Sequence, residues 1–394
     1  MIDHFYLAWR YLIFHRARSA VIVASLLLVS VLPIALERIL GETERQLLNR
    51  SATTPLLVGA KGSALDLVMS SVYFGGRAPE PISLAEIEQV EAEGLAYAIP
   101  IHTGFTTARG APIVGTTVDY FDFRKLAPAN GRTFTTLGES VLGAQAASRL
   151  GLGPGDALVS SPESLFDLAG AYPLKTRVVG VLAPSGTPDD LAVFVDTKTA
   201  WVMLGIGHGH QDLEQEGDPT LVISRDDERI VSSAKVRQYQ EITEANRDSF
   251  HFHGDASGYP LSAALIVPRD ERSGTLLLGR FVDGSLDAQL IRPQLVIEDV
   301  MNTIFRIKNV LDLAVGVVAV AATLALLMVF TLSFQLRQDE LRTNFEMGAS
   351  RGTAARLLLA EVILLATMTA TLAAGSIMLL DRFSATIVRG LIVS

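Results

Sequence analysis

Between Asp312 and Arg337 the chain reads LAVGVVAVAATLALLMVFTLSFQL, 24 residues without a charge. At 1.5 Å of rise per residue, a helix of that length crosses a hydrocarbon core of about 30 Å, and it offers water no polar face. Two further runs have the same character: SAVIVASLLLVSVLPIAL from Ser19 to Leu36, and VILLATMTATLAAGSIMLL between Glu361 and Asp381. Lipid leaves backbone amides no partner but one another, so the three runs are expected to be membrane-spanning helices. Pro33, near the end of the first, should kink that helix rather than break it. A basic leader before an apolar run also suits a cleavable signal peptide. The length of the run and the lack of an A-x-A site after it favour a retained span.

Lipid is thus the first partner implied. Nucleic acid is excluded as a general one, because 33 basic and 42 acidic side chains leave a formal charge of -9. The absence of cysteine rules out disulfides, thiolate metal sites and thiol catalysis.

The expected fold is an α-helical membrane domain of three spans with a large α+β extracytoplasmic domain inserted between spans 1 and 2. Residues 1–18 form an interfacial amphipathic helix, with Trp9 and the tyrosines at headgroup depth and Arg10, Arg16 and Arg18 on another face. Residues 19–36 are the first span, 310–336 the second and 362–380 the third. Residues 37–309 hold stalk helices and the α+β domain, 337–361 a cytoplasmic coupling element, and 381–394 a short tail. The basic N-terminal segment places the N-terminus in the cytoplasm, and Arg337, Arg342, Arg351 and Arg356 between spans 2 and 3 agree with that orientation.

Within 37–309, short β-like runs alternate with turns and modest helices. Glu37 to Asn49 should extend the first helix beyond the membrane, and Gln294 to Asn309 should lead into the second. Strands are expected at Leu56–Val58, Ala98–His102, Ala111–Thr116, Leu174–Val181, Ala192–Val195, Pro219–Ser224 and Ala263–Val267. Helices are expected at Ser83–Glu93, with Ser83 as N-cap and Glu86 three residues on, and at Arg229–Arg247. Gly205–Asp218 reads as a surface loop.

Several stretches resemble one family. Arg337, Glu340, the run Met347-Gly348-Ala349-Ser350-Arg351 and Glu361 are similar to the cytoplasmic signature of MacB/FtsX/LolE-like permeases of ABC systems, which work by mechanotransmission. The segments VGTTVDYFDFRKLAPANGRTF, ESVLGAQAASRLGLGPGDAL and TRVVGVLAPSGTPDDLAVFVD resemble, in that order, the extracytoplasmic domain of the same family. LLVGAKGSALDLVMSSVYF is similar to a stretch in a subgroup of its permeases. The resemblance implies an inner-membrane permease subunit that is not itself an enzyme, with ATP and Mg²⁺ bound by a separate cytosolic ATPase. It implies pairing with a second copy or a related permease, and a periplasmic partner protein as a further possibility. Members have four spans, whereas DRFSATIVRGLIVS, Asp381 to Ser394, is too short and too charged to cross. A three-span branch, an interfacial tail helix and a shortened chain all remain open.

The ATPase contact is expected at Glu340, Arg342, Phe345, Met347, Gly348, Ala349, Ser350, Arg351 and Glu361. Gly348 can end one helix at positive φ and Ser350 can cap the next, while Phe345 and Met347 supply apolar area that an ordinary loop does not need. Nucleotide binding by this chain is not expected. Gly59-Ala60-Lys61-Gly62-Ser63 lacks the G-x-x-x-x-G-K-[ST] spacing that wraps phosphates in amides, and it reads as a structural turn.

Four of the seven histidines form two H-x-H pairs, His208/His210 and His251/His253. Residues i and i+2 of an extended chain point the same way, so each pair could present two imidazoles to Zn²⁺ or Cu²⁺; solvated loop histidines are the plainer reading. No hydrolase-like constellation stands out. Asp156, Asp189 and Asp190 occupy turn contexts where aspartate bonds its own backbone, and Ser63, Ser140 and Ser161 lack a base. Small residues recur in the second and third spans, as at Gly316, Ala319, Ala370 and Ala374, and no span carries a charge. That suits close helix packing and provides no ion path. Two other functions fit the same features: a membrane-anchored metal-binding sensor or scaffold, and an activator of periplasmic cell-wall hydrolases.

Overall fold

A computed structural model describes the chain except for residues 1, 93, 162–172, 210–221, 227–228, 233–239, 245, 283–286, 337–345, 347–350 and 394. It divides into two units, Met1–Arg45 with Asp299–Gly390, and Gln46–Glu298 with Leu391–Ser394.

The first unit is helical. Helix Ile2–Phe14 is followed at His15 by helix Arg16–Ala52, which runs 37 residues with Pro33 inside it. The Ser19 hydroxyl donates to the carbonyls of Leu12 (3.1 Å) and His15 (3.3 Å), which ties the two helices together at their junction. Helix Pro293–Leu336 covers 44 residues and helix Arg351–Val393 covers 43, the latter with no break at Glu361 or Asp381. Among the described residues, three helices are therefore long and apolar enough to cross a membrane. Leu12, Ile22, Val23 and Leu365 form a small buried cluster, and Arg38 lies 3.7 Å from Asp381. Ile22 and Arg38 are as far apart in sequence as Leu365 and Asp381, so helices Arg16–Ala52 and Arg351–Val393 run in the same direction. Val310, Leu313, Val317, Val320, Leu324 and Met328 are exposed along the second apolar helix. That surface is stable only in lipid or against another helix.

Among the described residues, the second unit is built on a mixed sheet of eleven strands. From one edge the order is Gln240–Glu241, Leu174–Leu182, Glu139–Leu142, Val193–Asp196, Pro112–Thr116, Ala96–Thr106, Ala263–Pro268, Leu56–Ala60 and Ala288–Ile291, with Pro128–Gly131 and Ala157–Val159 also on Leu174–Leu182. In Leu174–Leu182 the odd members of LKTRVVGVL point inward and the even ones are more open, the period-2 signature of a half-buried strand. The strand at Leu56–Ala60 is buried through Leu56, Leu57, Val58 and Gly59, because sheet neighbours flank it and helix Ala64–Val72 covers it. That covering is close enough that a Cβ on Gly59 would lie 2.3 Å from Leu67. Gly59→Ala is therefore expected to push the buried Leu67 aside and to destabilise by about 1–3 kcal/mol, measurable by chemical denaturation of the full chain in detergent. A loss under about 0.5 kcal/mol would show that the helix sits looser than this.

Several expectations hold. Ser83 precedes helix Leu84–Ala92, and its amide and hydroxyl both donate to Glu86 Oε2. The seven expected strands are present, that at Pro219–Ser224 starting at Val222 among the described residues. Two expectations fail. Arg229–Arg247 is not a helix: Arg229–Ser232 pairs with Val222–Asp226, Gln240–Glu241 joins the main sheet, and 233–239 lies outside the described residues. The segment has too few apolar residues at helical spacing to bury a face, and strand pairing decides it. Nor is Gly205–Asp218 simply a loop. Gly207–Gly209 is a strand paired with Phe250–Phe252, while 210–218 lies outside the described residues.

Candidate functional site

Helix Arg16–Ala52 ends in the second unit, and its last turn carries Arg50. Arg50 is 7% exposed and meets Asp189, 1% exposed, in a two-pronged ion pair: Nη1 to Oδ2 at 2.7 Å and Nη2 to Oδ1 at 2.8 Å. Nη2 also donates to the Tyr120 hydroxyl (2.7 Å), which donates to Asp189 Oδ1 (2.6 Å). Nε donates to the Val72 carbonyl (3.2 Å), and Thr187 Oγ1 donates to Asp189 Oδ2 (2.7 Å). Both ions are thus surrounded by partners, the condition under which a buried pair repays its desolvation.

Each partner is placed by a short local device. Asp189 lies in the 3₁₀ turn Pro188–Leu191, where proline presets the first turn. Tyr120 lies in helix Asp119–Arg124, which Lys125 closes in a left-handed conformation. Phe74, at φ 59°, turns the chain out of helix Ala64–Val72 and sets its ring 6.0 Å from the Arg50 guanidinium carbon. That backbone conformation costs a non-glycine residue about 1–2 kcal/mol, so the surrounding packing must impose it. Tyr120, Phe121, Phe134 and Phe194 stack edge-on or tilted around this centre. Beside it, the Tyr73 hydroxyl donates to the Leu47 carbonyl, one helical turn before Arg50.

Electrostatics agree with a permanently charged lock. Burial by itself pushes the Arg50 guanidinium down, but the facing Tyr120 and Asp189 outweigh it and hold Arg50 above its ordinary value. Burial likewise pushes the Asp189 carboxyl up, and Arg50, Tyr120 and Thr187 bring it below the usual carboxylate range. Burial raises the Tyr73 phenol to about 12. Arg124 donates to Thr54 Oγ1 (2.7 Å) and Thr53 Oγ1 (3.0 Å), and burial together with the Arg50 charge lowers its pKa. What the arrangement can do is hold the end of the helix rigidly to helix Asp119–Arg124 and to the 3₁₀ turn.

Asp189 corrects the expectation of a turn aspartate bonded to its own backbone. Asp190 meets that expectation through the amides of Ser185 and Gly186, both at 2.8 Å, and Asp156 meets it through Gly153. Sequence reasoning missed Arg50, Tyr120 and Asp189 together, since Arg50 and Asp189 stand 139 residues apart and no spacing rule links them. The oddity of two adjacent aspartates in GTPDDL was the available hint.

Of the residues expected at the ATPase contact, Glu340, Arg342, Phe345, Met347, Gly348, Ala349 and Ser350 lie outside the described residues. Arg351 opens helix Arg351–Val393, and Glu361 is buried in it at 3% exposure. Of the histidines, His208 and His251 are directly opposite one another across the ribbon Gly207–Gly209/Phe250–Phe252, and the rings of His251 and His253 are 4.6 Å apart. His210 lies outside the described residues. No group of three or more metal-ligating side chains is assembled among the described residues. Ser63 caps helix Ala64–Val72, accepting from the Asp66 amide at 3.1 Å, so Gly59–Ser63 is a strand-to-helix turn.

Residues 39–235, half of the chain, match the model of the MacB-like periplasmic core domain. The periplasmic region of MacB from Actinobacillus actinomycetemcomitans aligns at 12% identity and a TM-score of 0.35, over 63% of this chain and 93% of that one. The extracellular domain of the noncanonic ABC-type transporter YknZ from Gram-positive bacteria aligns at 12% identity and a TM-score of 0.33, over 60% of this chain and 98% of that one. No curated protein matches the chain. The two structural likenesses are too distant to bear on function, and the assignment rests on the sequence match.

Proposed function

Since the chain belongs to the family of the MacB-like periplasmic core domain, and so is a MacB-like ABC transporter permease, we propose that it couples ATP hydrolysis by a separate cytosolic ATPase to movement of its periplasmic domain. The observation that carries this reading is the continuity of helix Arg16–Ala52. One helix holds the first apolar run and, in its last turn, the buried Arg50 pair. A displacement of a stiff helix is delivered to whatever its end is fixed to, and the Arg50–Asp189–Tyr120 network fixes it to elements of the main α+β fold. A flexible linker at that place would dissipate the same displacement.

In this reading ATP and Mg²⁺ bind the partner, residues 337–361 receive the ATPase, and the permease works as a pair with a second copy or a related subunit. The shared direction of helices Arg16–Ala52 and Arg351–Val393 supports a topology in which the first and third spans cross the same way, starting from a cytoplasmic N-terminus. The periplasmic domain then handles a cargo or partner protein by changing shape, as an export, extraction or mechanotransmission step.

The test is ATPase coupling in proteoliposomes that contain the chain and the ATPase co-purifying with it. Gly348→Pro and Glu340→Arg are each expected to leave insertion unchanged and to cut stimulation of the ATPase by about tenfold, equivalent to about 1.4 kcal/mol of coupling. Full stimulation by both variants, or the failure of any ATPase to co-purify, counts against the reading.

A further inference from the structure

Three strands meet Leu174–Leu182 near its start. Gln240–Glu241 sets Glu241 beside Lys175, Glu139–Leu142 sets Glu139 beside Arg177, and Ala157–Val159 sets Ala157 beside Arg177. Registered partners share a face of a sheet, as do positions i and i+2 of a strand. Lys175, Arg177, Glu139 and Glu241 therefore stand on one face. It is the open one, since Lys175 is half-buried and Arg177 exposed while Leu174, Thr176 and Val178 are buried. With Asp156 and the turn at 243–247, these residues line a cleft of about 370 Å³.

Side chains that bond nearby backbone hold the walls in place. Asn246 donates to the Glu241 carbonyl (3.0 Å) and accepts from the Thr243 amide (2.7 Å). Asp156 accepts from the Gly153 amide (2.8 Å), and Glu139 from the Thr135 amide (2.9 Å). Ile242, 8% exposed, anchors the turn in the core beside Leu174 and Val178. Walls fixed before a ligand arrives reduce the ordering cost of binding.

The charges of the cleft are only partly matched. Lys175 pairs with Glu241 at 3.0 Å, and Arg132 pairs with Glu139. Arg177, Arg247, Asp156 and Glu244 line the same space and make no ion pair among the described residues. Two guanidinium groups and two carboxylates are thus left for a ligand that carries both signs. We propose that the cleft binds a small zwitterion bearing a carboxylate and an ammonium group, of the size of an α-amino acid or a dipeptide. Arg177 and Arg247 take its carboxylate, which the planar guanidinium fork matches in two-pronged fashion. Glu244 and Asp156 take its ammonium. The volume lies near the lower end of the range for ligand sites, about 300–1,000 Å³, and so suits a ligand of that size. The site does not rest on the permease reading and would stand if that reading fell.

The experiment is isothermal titration of the full chain in detergent with glycylglycine, and separately with acetate and with ethylammonium. Glycylglycine is expected to bind at one site per chain with a Kd of about 1 mM or tighter, and each single-charge probe at least about tenfold more weakly. Arg177→Gln/Arg247→Gln and, separately, Glu244→Gln are expected to weaken glycylglycine binding by at least about tenfold. Arg77→Gln, outside the cleft, should change nothing. A Trp201 fluorescence melt shows whether each variant is folded, and the comparison of the three probes needs no variant. The site is overturned by the absence of saturable glycylglycine binding, by wild-type affinity in either cleft variant, or by acetate or ethylammonium binding as tightly as glycylglycine.

Discussion

Asp189→Ala is expected to remove about 3–5 kcal/mol of stability from the α+β unit, the largest effect of any single substitution considered. The reason is the charge left behind. Arg50 is 7% exposed, its guanidinium loses both prongs of the ion pair, and Tyr120 loses its acceptor. Water cannot replace the carboxylate without opening the ring of Phe74, Tyr120 and Phe194. For a unit of this size the loss corresponds to a fall of about 10 °C in Tm. The measurement is a melt of the full chain in detergent followed by Trp201 fluorescence, with Trp9→Phe as background. Arg50→Met/Asp189→Leu is expected to recover most of the loss, since an apolar pair of similar volume leaves no buried charge. A fall of less than about 1 kcal/mol in Asp189→Ala would mean that the pair is hydrated and cannot serve as a rigid join. If the double variant melts like the wild type and yet couples poorly to the ATPase, the network acts in transmission rather than only in folding.

Acidification is expected to weaken the same unit through His102. This side chain is 7% exposed beside Phe105, its Nδ1 has no partner among the described residues, and burial lowers its pKa to about 4. The unfolded chain binds the proton near pH 6.5, as free histidine does, while the folded chain refuses it until about pH 4. Between those values the unfolded state binds more protons, so stability rises with pH. The contribution is complete above about pH 7, shrinks as pH falls through 6.5, and is gone below about pH 4, with a total near 3 kcal/mol. Chemical denaturation at pH 7.5 and 4.5 should show the wild type losing about 2–3 kcal/mol more than His102→Leu. Equal losses would assign the acid sensitivity to other groups.

Much of the architecture was legible because it rests on short-range rules. Apolar length marked the three long helices, alternation marked Leu174–Leu182, and Ser83 with Glu86 marked a helix start. The failures have a common cause. Arg229–Arg247 carries no strong period of either kind, so its partners Val222–Asp226 and Leu174–Lys175 choose its structure. Gly207–Gly209 is too short to register as a strand until Phe250–Phe252 lies beside it. The same holds for the candidate sites. The H-x-H pairs were visible as motifs, but their meeting depends on a register that no local pattern encodes.

By itself, then, the sequence determined that the chain lives in a membrane, where a large α+β segment falls in chain order, and which family the chain resembles. These follow from hydropathy, period and motif, which are properties of neighbours along the chain. Only the tertiary structure decided that Arg50 ends its helix in a buried ion pair with Asp189 and Tyr120, and that His208 stands across from His251. Both depend on contacts between distant residues, whose free energy comes from desolvation and pairing geometry and leaves no trace in either segment alone.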